Sequence, residues 1–431
     1  MEGGRIDNAV IARNLVIVIT LQLLAVGAGI GVILATPGGA GFSYDSERYL
    51  AGAQAILSTG EYRSASGLVS LHWPPGTSLV YAFAARLLGR SPQAIVLGVN
   101  CAAYVLAAVA LQAFVGVLIR QAPVRAVVFV AVLLNSSWTG LYGKLWSEPF
   151  FLPAWIAMMA MLVLALKAGW AKASGGRAYF LQATPCMLAA SCLLGIAYTF
   201  RYAAIAGLPV VAVTGFVALG PRRAATAAPA MAALFALPIA AAWSLAGVAG
   251  SWLPPRQLHS AATALPDVMG HAAAGLGLLL DQLVPVHGAG PWAAVPAILV
   301  WVLLPLALVI RTRGAGRHEL LNAFISSVAA FYFLFVAAVQ AFVDPTTPLD
   351  LRLLSPLLPL LVASIALSMD SMAGAAGAFN GRARLLASVG GAILAACLCI
   401  CAIRSLRAAS DRLPWPMAFD AGPTAATGEA R

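Results

Sequence analysis

The first residue with a side chain suited to chemistry is Asp45, in a polar segment of an otherwise apolar chain. The segment reads YDSERY at positions 44–49, and Asp45 and Tyr49 share a face if it is helical. A carboxylate at the edge of a partly dry cavity is suited to accept a proton from a hydroxyl group. The alternative is a helix N-terminal acid that pairs with Arg48. We take Asp45 as a candidate general base and Tyr49 as a candidate substrate contact.

The second acidic candidate is Glu148, in a charged turn between two apolar runs. The turn reads KLWSEP at positions 144–149, so Lys144 and Glu148 both lie close to a membrane boundary. Charged residues are costly to place there and are functional candidates by default. The structural alternative is that an acid followed by proline favours the start of a helix. We take Glu148 as a second candidate catalytic residue and Lys144 as a candidate substrate contact.

Three further candidates could bind an anionic substrate. Arg201 stands alone between two apolar runs, and Arg352 follows Asp350 by two positions. An arginine fork matches phosphate with two hydrogen bonds, so both arginines are candidate phosphate ligands. A structural ion pair, such as Asp350 with Arg352, is the alternative. His72, in the segment HWPPG, is a candidate contact for a substrate hydroxyl or phosphate, or a structural residue before a helix.

The elements that must position these residues are membrane-spanning helices. Hydrophobic residues make up 61% of the 431 positions and charged residues only 10%, whereas soluble domains carry about 25% charged residues. The net charge of +11 comes largely from pairs and triplets of basic residues between apolar runs, as in cytoplasmic loops. Nucleic-acid binding requires a clustered basic face instead. We therefore predict an all-α polytopic membrane protein that contacts membrane lipids and binds no nucleic acid.

About 11 transmembrane helices (10–12) are expected, because a span needs about 20 apolar residues. Arg5 and Arg13 precede the first apolar run, which places the N-terminus on the cytoplasmic side. The count stays open over 179–220, where Pro185 and Pro209 interrupt an apolar stretch. The predicted spans are 15–35, 93–119, 126–143, 149–167, 179–199, 203–220, 225–247, 291–310, 318–340, 353–369 and 385–403.

The segment 36–92 is too polar to span and is predicted to be a large external loop. Two short amphipathic pieces in it, near 45–58 and 74–88, are predicted to be interfacial helices. Residues 1–403 are expected to form a single transmembrane domain, and 404–431 a short external tail. In this topology most acidic residues fall on one side, so we expect a periplasmic or extracellular active face on an inner (plasma) membrane.

Sequence patterns for cofactors and metals are absent. The chain has no glycine-rich phosphate loop, Walker motif, HExxH or Cys/His metal pattern, and its six cysteines lie inside apolar runs. We predict no cofactor. A divalent metal held by Asp45 and Glu148 is possible in principle but is not favoured. Any phosphate in the reaction would have to reach the outer face attached to a lipid.

In order and spacing, these segments resemble the GT-C superfamily of membrane glycosyltransferases. The nearer relatives are the protein-mannosyltransferase-like group and the lipid A aminoarabinose transferases. The resemblance covers about residues 15–360, and each motif is short, so their order matters more than any one of them. The motifs are YDSERYLAGA at 44–53, GEY at 60–62, WPPG at 73–76, SEPF at 147–150, GIAYTFRY at 195–202 and RLLSPLLP at 352–359.

The resemblance implies a polyprenyl-phosphate-linked sugar as donor and inversion at the anomeric carbon. It implies that Asp45 deprotonates the acceptor hydroxyl and that Glu148 is the second external acidic residue. Arg201 and Arg352 are then expected to hold the leaving lipid phosphate, with help from Lys144, because its developing charge needs fixed cations. The acceptor stays open between a lipid, a protein and an envelope polymer, as do the sugar and the oligomeric state.

One position departs from the aminoarabinose transferases, which carry a lysine before the first proline of the WPPG-like motif. This chain has Trp73 there, a residue that also suits an aromatic belt at the membrane interface. A phosphate contact at this point would therefore fall to His72 or to another residue.

The main alternative is a transporter or flippase for a lipid-linked or small polar substrate. Such a protein needs polar residues near the midplane of several spans, whereas the charges here collect at the ends of spans. Other enzymes of lipid-linked sugars, such as a polymerase or a ligase, share the face and the donor and stay open as alternatives. A non-catalytic membrane assembly protein, by contrast, would not need the acidic and basic candidates to converge. The enzyme is therefore favoured if four residues converge at one site: Asp45, Glu148, Arg201 and Arg352.

Overall fold

The computed structural model describes residues 8–36, 39–64, 72–172, 177–248, 317–343 and 350–375, and five positions between 270 and 279. The elements in these ranges are helices, with one isolated parallel β-bridge between Gly41 and Lys144. A 3₁₀ turn, Tyr202–Ala206, precedes α9. The α-helices are α1 (Asn8–Leu34), α2 (Tyr44–Thr59), α3 (Gly76–Leu88), α4 (Pro92–Leu118), α5 (Ala122–Leu133), α6 (Ser136–Tyr142), α7 (Glu148–Lys172), α8 (Arg177–Phe200), α9 (Gly207–Leu219), α10 (Pro221–Leu245), α11 (Arg317–Val343), α12 (Leu351–Leu354) and α13 (Leu357–Ala375).

The polytopic helical architecture is confirmed. In the described ranges, 7 helices are long and apolar enough to cross a membrane, or up to 8 if the pair α5 and α6, bent by 56°, is one span. The bend precedes Asn135, whose side chain caps the N-terminus of α6. The predicted spans 291–310 and 385–403 and the predicted tail 404–431 lie outside the described residues. The count of about 11 and the domain boundary therefore stay predictions.

The stretch 179–220, where the number of helices was open, contains two helices, α8 and α9. Pro185 lies inside α8 and does not end it. The chain breaks instead at Arg201, which has extended backbone angles (φ −152°, ψ 122°) between α8 and the 3₁₀ turn. Pro209 is the third residue of α9, where a missing N–H group costs no intrahelical hydrogen bond. The break places Arg201 at a helix junction.

Helices α2 and α3 correspond to the two short helices predicted in the first polar loop. At the start of α2, the backbone N–H of Ser43 donates to Ser46 Oγ (2.9 Å). The helix ends at Gly60, whose φ of 77° favours glycine. On α3, Phe83 and Leu87 expose apolar side chains, as expected of a helix that lies in a membrane interface.

The core of the bundle forms around α7, which packs against α4, α8 and α9. Its large side chains, such as Phe151 and Trp155, are fully buried. By contrast, α1 and α10 expose leucines such as Leu23, Leu24 and Leu245. So much exposed apolar surface is unfavourable in water but suits the hydrocarbon of a bilayer.

A close backbone contact joins α3 to the end of α8. A Cβ atom on Gly76 would lie 2.5 Å from the carbonyl oxygen of Thr199, so a side chain does not fit there. The contact places the WPPG segment, which precedes α3, beside the junction that carries Arg201. Two motifs that are distant in sequence therefore lie at the same end of the bundle.

Asn100 in α4 holds the turn after α6 in place, and we expect its loss to be strongly destabilising. Its side chain is fully buried, accepts a hydrogen bond from the Tyr81 hydroxyl (2.6 Å) and donates to the carbonyls of Tyr142 and Lys144 (2.8 Å each). Asn100→Leu leaves the Tyr81 hydroxyl and the Tyr142 carbonyl buried without this partner, at a cost of about 1–3 kcal/mol each, whereas the Lys144 carbonyl still accepts from the backbone N–H of Trp146 (3.0 Å). The melting temperature in detergent should fall clearly for Asn100→Leu and little for Cys101→Ala. Equal melting temperatures for the two variants would refute this role.

Candidate active site

A short backbone pairing brings the first polar loop to the charged turn before α7. The N–H of Gly41 donates to the carbonyl of Gly143 (2.9 Å), and the N–H of Leu145 donates to the carbonyl of Gly41 (3.2 Å). These two bonds form the parallel bridge between Gly41 and Lys144. They set the start of α2, which carries Asp45, beside the turn that leads into α7.

Both carboxylate oxygens of Asp45 accept hydrogen bonds. Oδ1 accepts from the indole Nε1 of Trp73 (3.1 Å), and Oδ2 accepts from Nη1 of Arg352 (2.7 Å). The pair between Asp45 and Arg48 that the sequence offers as an alternative does not form. Arg48 donates to the hydroxyl of Tyr44 (2.7 Å). The side chain of Asp45 is thus held in one orientation by groups from two distant parts of the chain.

Arg352 lies between two carboxylates and an indole ring. It forms ion pairs with Asp350 and Asp45, and its guanidinium carbon lies 4.7 Å from the ring centroid of Trp146. Burial lowers the pKa of Arg352, but the charges and hydrogen bonds of the two carboxylates outweigh it and raise the pKa overall. The ion pair between Asp350 and Arg352, which the sequence offers as the structural alternative to phosphate binding, is therefore present. Arg352 also contacts Asp45, the candidate base.

A second ion pair joins the other two charged candidates. Arg201 Nη1 donates to Glu148 Oε1, and Ser147 Oγ donates to Glu148 Oε2 (3.3 Å). The Glu148 side chain is 3% exposed and the Arg201 side chain 16% exposed. A largely buried arginine needs a compensating negative charge. Glu148, at the first position of α7, supplies it to Arg201.

Tyr49 lies between the two ion pairs. Its side chain is buried, and burial together with the charge of Asp45 raises the pKa of its hydroxyl. A hydrogen bond with Ser147 and the charge of Arg201 lower that pKa by less, so the net shift is upward. The hydroxyl therefore stays protonated, and it lies near enough to Asp45 and Arg201 for both charges to affect its pKa. Its predicted contact with substrate stays a prediction.

The remaining two candidates lie on indole rings at this same end of the bundle. Lys144 Nζ is 4.4 Å from the ring centroid of Trp146, the ring that Arg352 also covers. His72 is exposed and packs edge-on against Trp73, with ring centroids 4.4 Å apart. Contacts thus link the seven candidate residues in one region. Their individual roles stay predictions.

The two indoles Trp73 and Trp146 make structural contacts that the sequence does not predict. Trp146 is buried beneath Arg352 and Lys144, and its Nε1 donates to Ser43 Oγ (2.7 Å) at the start of α2. The sequence favours Trp73 as a residue of the interface belt, whereas in the structure its indole Nε1 donates to Asp45. The position of Trp146 between charged residues in KLWSEP was the signal available in the sequence.

In the described part of the chain, no group of three or more His, Cys, Asp or Glu side chains could hold a metal ion. Asp45 and Glu148, the pair considered for a divalent metal, are each bonded to an arginine instead. An arginine partner competes with a metal for carboxylate oxygens, so the donor set does not favour one. Metal independence nevertheless stays a prediction.

Comparisons with known proteins identify the fold. No family model and no curated protein matches the chain. Among solved structures, it is similar to ArnT from Cupriavidus metallidurans in the apo state, with a TM-score of 0.51 and 13% identity over 92% of this chain and 75% of that chain. The structure of ArnT bound to undecaprenyl phosphate gives a TM-score of 0.53 and 14% identity over 92% and 76%. The chain therefore has the fold of ArnT, which confirms the fold expected from the resemblance of its motifs.

Proposed function

From the ArnT fold and the contacts of Asp45, we propose that this protein is a membrane glycosyltransferase. It moves a sugar from a polyprenyl-phosphate-linked donor to an acceptor hydroxyl, with inversion at the anomeric carbon. The observation that carries the proposal is the contact between Asp45 and Arg352 (2.7 Å). It places a carboxylate suited to take a proton beside a cation suited to hold a phosphate. The ArnT structure with bound undecaprenyl phosphate supports a lipid phosphate as the ligand.

Arg352 is the residue that we assign to the donor phosphate. Its Nε and Nη1 atoms bind Asp350 and Asp45, whereas Nη2 bonds to no group among the described residues. Negative charge develops on the phosphate as the sugar leaves, and a cation already fixed in place stabilises that charge without reorganisation. The Trp146 ring and the two carboxylates fix Arg352, and Lys144 adds positive charge on the same ring.

Asp45 is the residue that we assign to the acceptor. The acceptor oxygen bonds to the anomeric carbon, the bond from that carbon to the phosphate oxygen breaks, and the acceptor proton passes to Asp45. The lipid phosphate leaves with the bonding electrons. General-base catalysis of this kind contributes about 10²–10⁴-fold to a rate.

Glu148 and Arg201 have a different role in this proposal. The carboxylate of Glu148 is almost fully enclosed and is bonded to Arg201 and Ser147, so we assign it to positioning and not to proton transfer. Arg201, more exposed than its partner, is the second candidate for the lipid phosphate.

We place the site on the external face of an inner (plasma) membrane. Helix α7 starts at Glu148 in the site and carries Lys167 near its other end, where Lys167 Nζ donates to the carbonyl of Val117. Arg120 and Arg125 follow this end of α4 in sequence. Basic residues collect on the cytoplasmic side of membrane proteins, so the site belongs on the opposite side.

The proposed reaction is tested with the purified protein in lipid nanodiscs. Undecaprenyl phosphate carrying different single sugars is supplied, and released undecaprenyl phosphate is followed by mass spectrometry. We expect release from at least one donor, faster when an extract of envelope glycolipids supplies acceptor hydroxyls. Absence of release from every donor, together with transport of intact donor across the bilayer of proteoliposomes, would support the flippase alternative and refute the transferase.

Arg352→Gln should weaken binding of undecaprenyl phosphate. A hydrogen bond to a charged group is worth about 1.5–3 kcal/mol, so we expect the affinity to fall by about 10–100-fold. The dissociation constant can be followed through tryptophan fluorescence, because Trp146 lies against Arg352. Arg86→Gln removes an exposed charge on α3 and serves as the control. Equal affinity of Arg352→Gln and Arg86→Gln would remove Arg352 from the phosphate site.

A further inference from the structure

Asp45 has two differently built sides. Oδ2 faces the guanidinium cation of Arg352, which the Trp146 ring and the ion pair with Asp350 hold in place, and we call this the cationic side. Oδ1 faces Trp73, around which aromatic rings are grouped. If the donor phosphate occupies the cationic side, as proposed above, the acceptor must reach Asp45 from the aromatic side. This step rests on the proposed function.

The aromatic side is a small surface formed by Tyr44, Arg48, His72 and Trp73, which we call the aromatic shelf. The rings of Tyr44 and His72 both pack on Trp73, with centroid distances of 5.9 Å and 4.4 Å. The Arg48 guanidinium carbon lies 4.7 Å from the Tyr44 ring centroid and 5.8 Å from that of Trp73. Tyr44 is 59% exposed and His72 is also exposed, so the shelf is open to a ligand.

The guanidinium of Arg48 is held in place and retains unused hydrogen-bond donors. Nη2 donates to the Tyr44 hydroxyl (2.7 Å), Nε is buried without a hydrogen-bond partner, and Nη1 forms no hydrogen bond in the described part of the chain. No carboxylate in that part is paired with Arg48, in contrast to Arg201 and Arg352. A fixed cation of this kind is suited to bind a phosphate or carboxylate group.

The two chemistries together point to one class of acceptor. Aromatic rings present flat apolar faces next to polar edges, which match the C–H faces and hydroxyl groups of a sugar ring. The Arg48 guanidinium adds a binding point for an anionic substituent. We propose that the aromatic shelf is the acceptor subsite, and that the acceptor is a saccharide carrying a phosphate or carboxylate group. Its hydroxyl lies against Asp45 while its charge pairs with Arg48.

The subsite is tested by saccharide binding in nanodiscs that contain saturating undecaprenyl phosphate, so that Arg352 is already occupied. The probes are trehalose 6-phosphate, trehalose and a phosphoserine tripeptide. We expect the wild type to bind trehalose 6-phosphate at least about tenfold more tightly than trehalose, a difference of about 1.4 kcal/mol. Arg48→Gln should abolish this difference. Tyr44→Leu should weaken binding of both sugars, whereas Tyr44→Phe should retain trehalose binding.

Three outcomes would overturn the subsite: no difference between the two sugars in the wild type, unchanged binding in Arg48→Gln, or tripeptide binding as tight as that of the sugar phosphate. The last would assign the shelf to a peptide acceptor. Arg86→Gln is the matched control for loss of one exposed charge. The affinity of Arg48→Gln for undecaprenyl phosphate should equal that of the wild type, which also shows that the variant is folded. Failure of the subsite therefore leaves donor binding, and with it the proposed function, separately measurable.

Discussion

Asp45→Asn should lower the rate of donor turnover by about 10²–10⁴-fold, the range that a general base contributes. The amide has nearly the same volume, and its oxygen can still accept the hydrogen bond from Trp73 Nε1, but it cannot take up a proton. The affinity for undecaprenyl phosphate should not fall, because Arg352 loses a carboxylate that competes with the phosphate. Turnover is followed as release of undecaprenyl phosphate, and affinity by tryptophan fluorescence.

Glu47→Gln is the matched control for Asp45→Asn. Glu47 lies two residues further along α2 and is exposed, so its substitution removes the same charge from the same helix without touching Arg352. We expect near-wild-type turnover from Glu47→Gln. A folded Asp45→Asn protein with full turnover would exclude Asp45 as the base. Loss of lipid phosphate affinity in that variant would instead indicate that Asp45 only positions Arg352.

The helices and the candidate residues could be predicted from the sequence because both depend on local patterns. Apolar runs give the spans, and Gly60 and Gly89 end α2 and α3 close to the predicted positions. Charged residues at the ends of spans stand out because they are costly to place there. Even the break at Arg201 lies where a single charge interrupts an apolar stretch.

The pairing of these residues could not be predicted, because it depends on contacts between distant segments. Asp45 and Arg352 are 307 positions apart, and Arg201 could have paired with either acid as far as the sequence shows. The close approach of Gly76 to Thr199 and the backbone bridge at Gly41 decide which acid meets which arginine. Neither contact leaves a pattern in a single sequence.

The contacts of the two indoles could not be predicted for a related reason. Tryptophan is common at membrane interfaces for general physical reasons, so its presence at Trp73 and Trp146 did not indicate a specific contact. Only the fold shows that each ring donates one hydrogen bond, to Asp45 and to Ser43, and carries a cation on its face.

Glu148→Met should be the most destabilising substitution in the site. It leaves Arg201, 16% exposed, without its carboxylate partner, and breaking a buried pair in this way costs about 3–5 kcal/mol. The melting temperature in detergent should therefore fall strongly. Glu47→Met, which removes an exposed carboxylate from α2, should change it little. A melting temperature of Glu148→Met equal to that of the wild type would show that the pair contributes nothing to the fold.

The double variant Glu148→Met/Arg201→Met separates the structural role of this pair from its role in donor binding. Replacing both partners of a buried ion pair by apolar side chains of similar size is often neutral or stabilising, so the melting temperature should recover most of the loss. If Arg201 also holds the lipid phosphate, undecaprenyl phosphate affinity and turnover should stay low in the restored protein. If Arg201 is only structural, both should recover together with the melting temperature. If the melting temperature recovers and the affinity for undecaprenyl phosphate equals that of the wild type, Arg201 does not bind the donor. Arg352 and Lys144 are then the cations assigned to it.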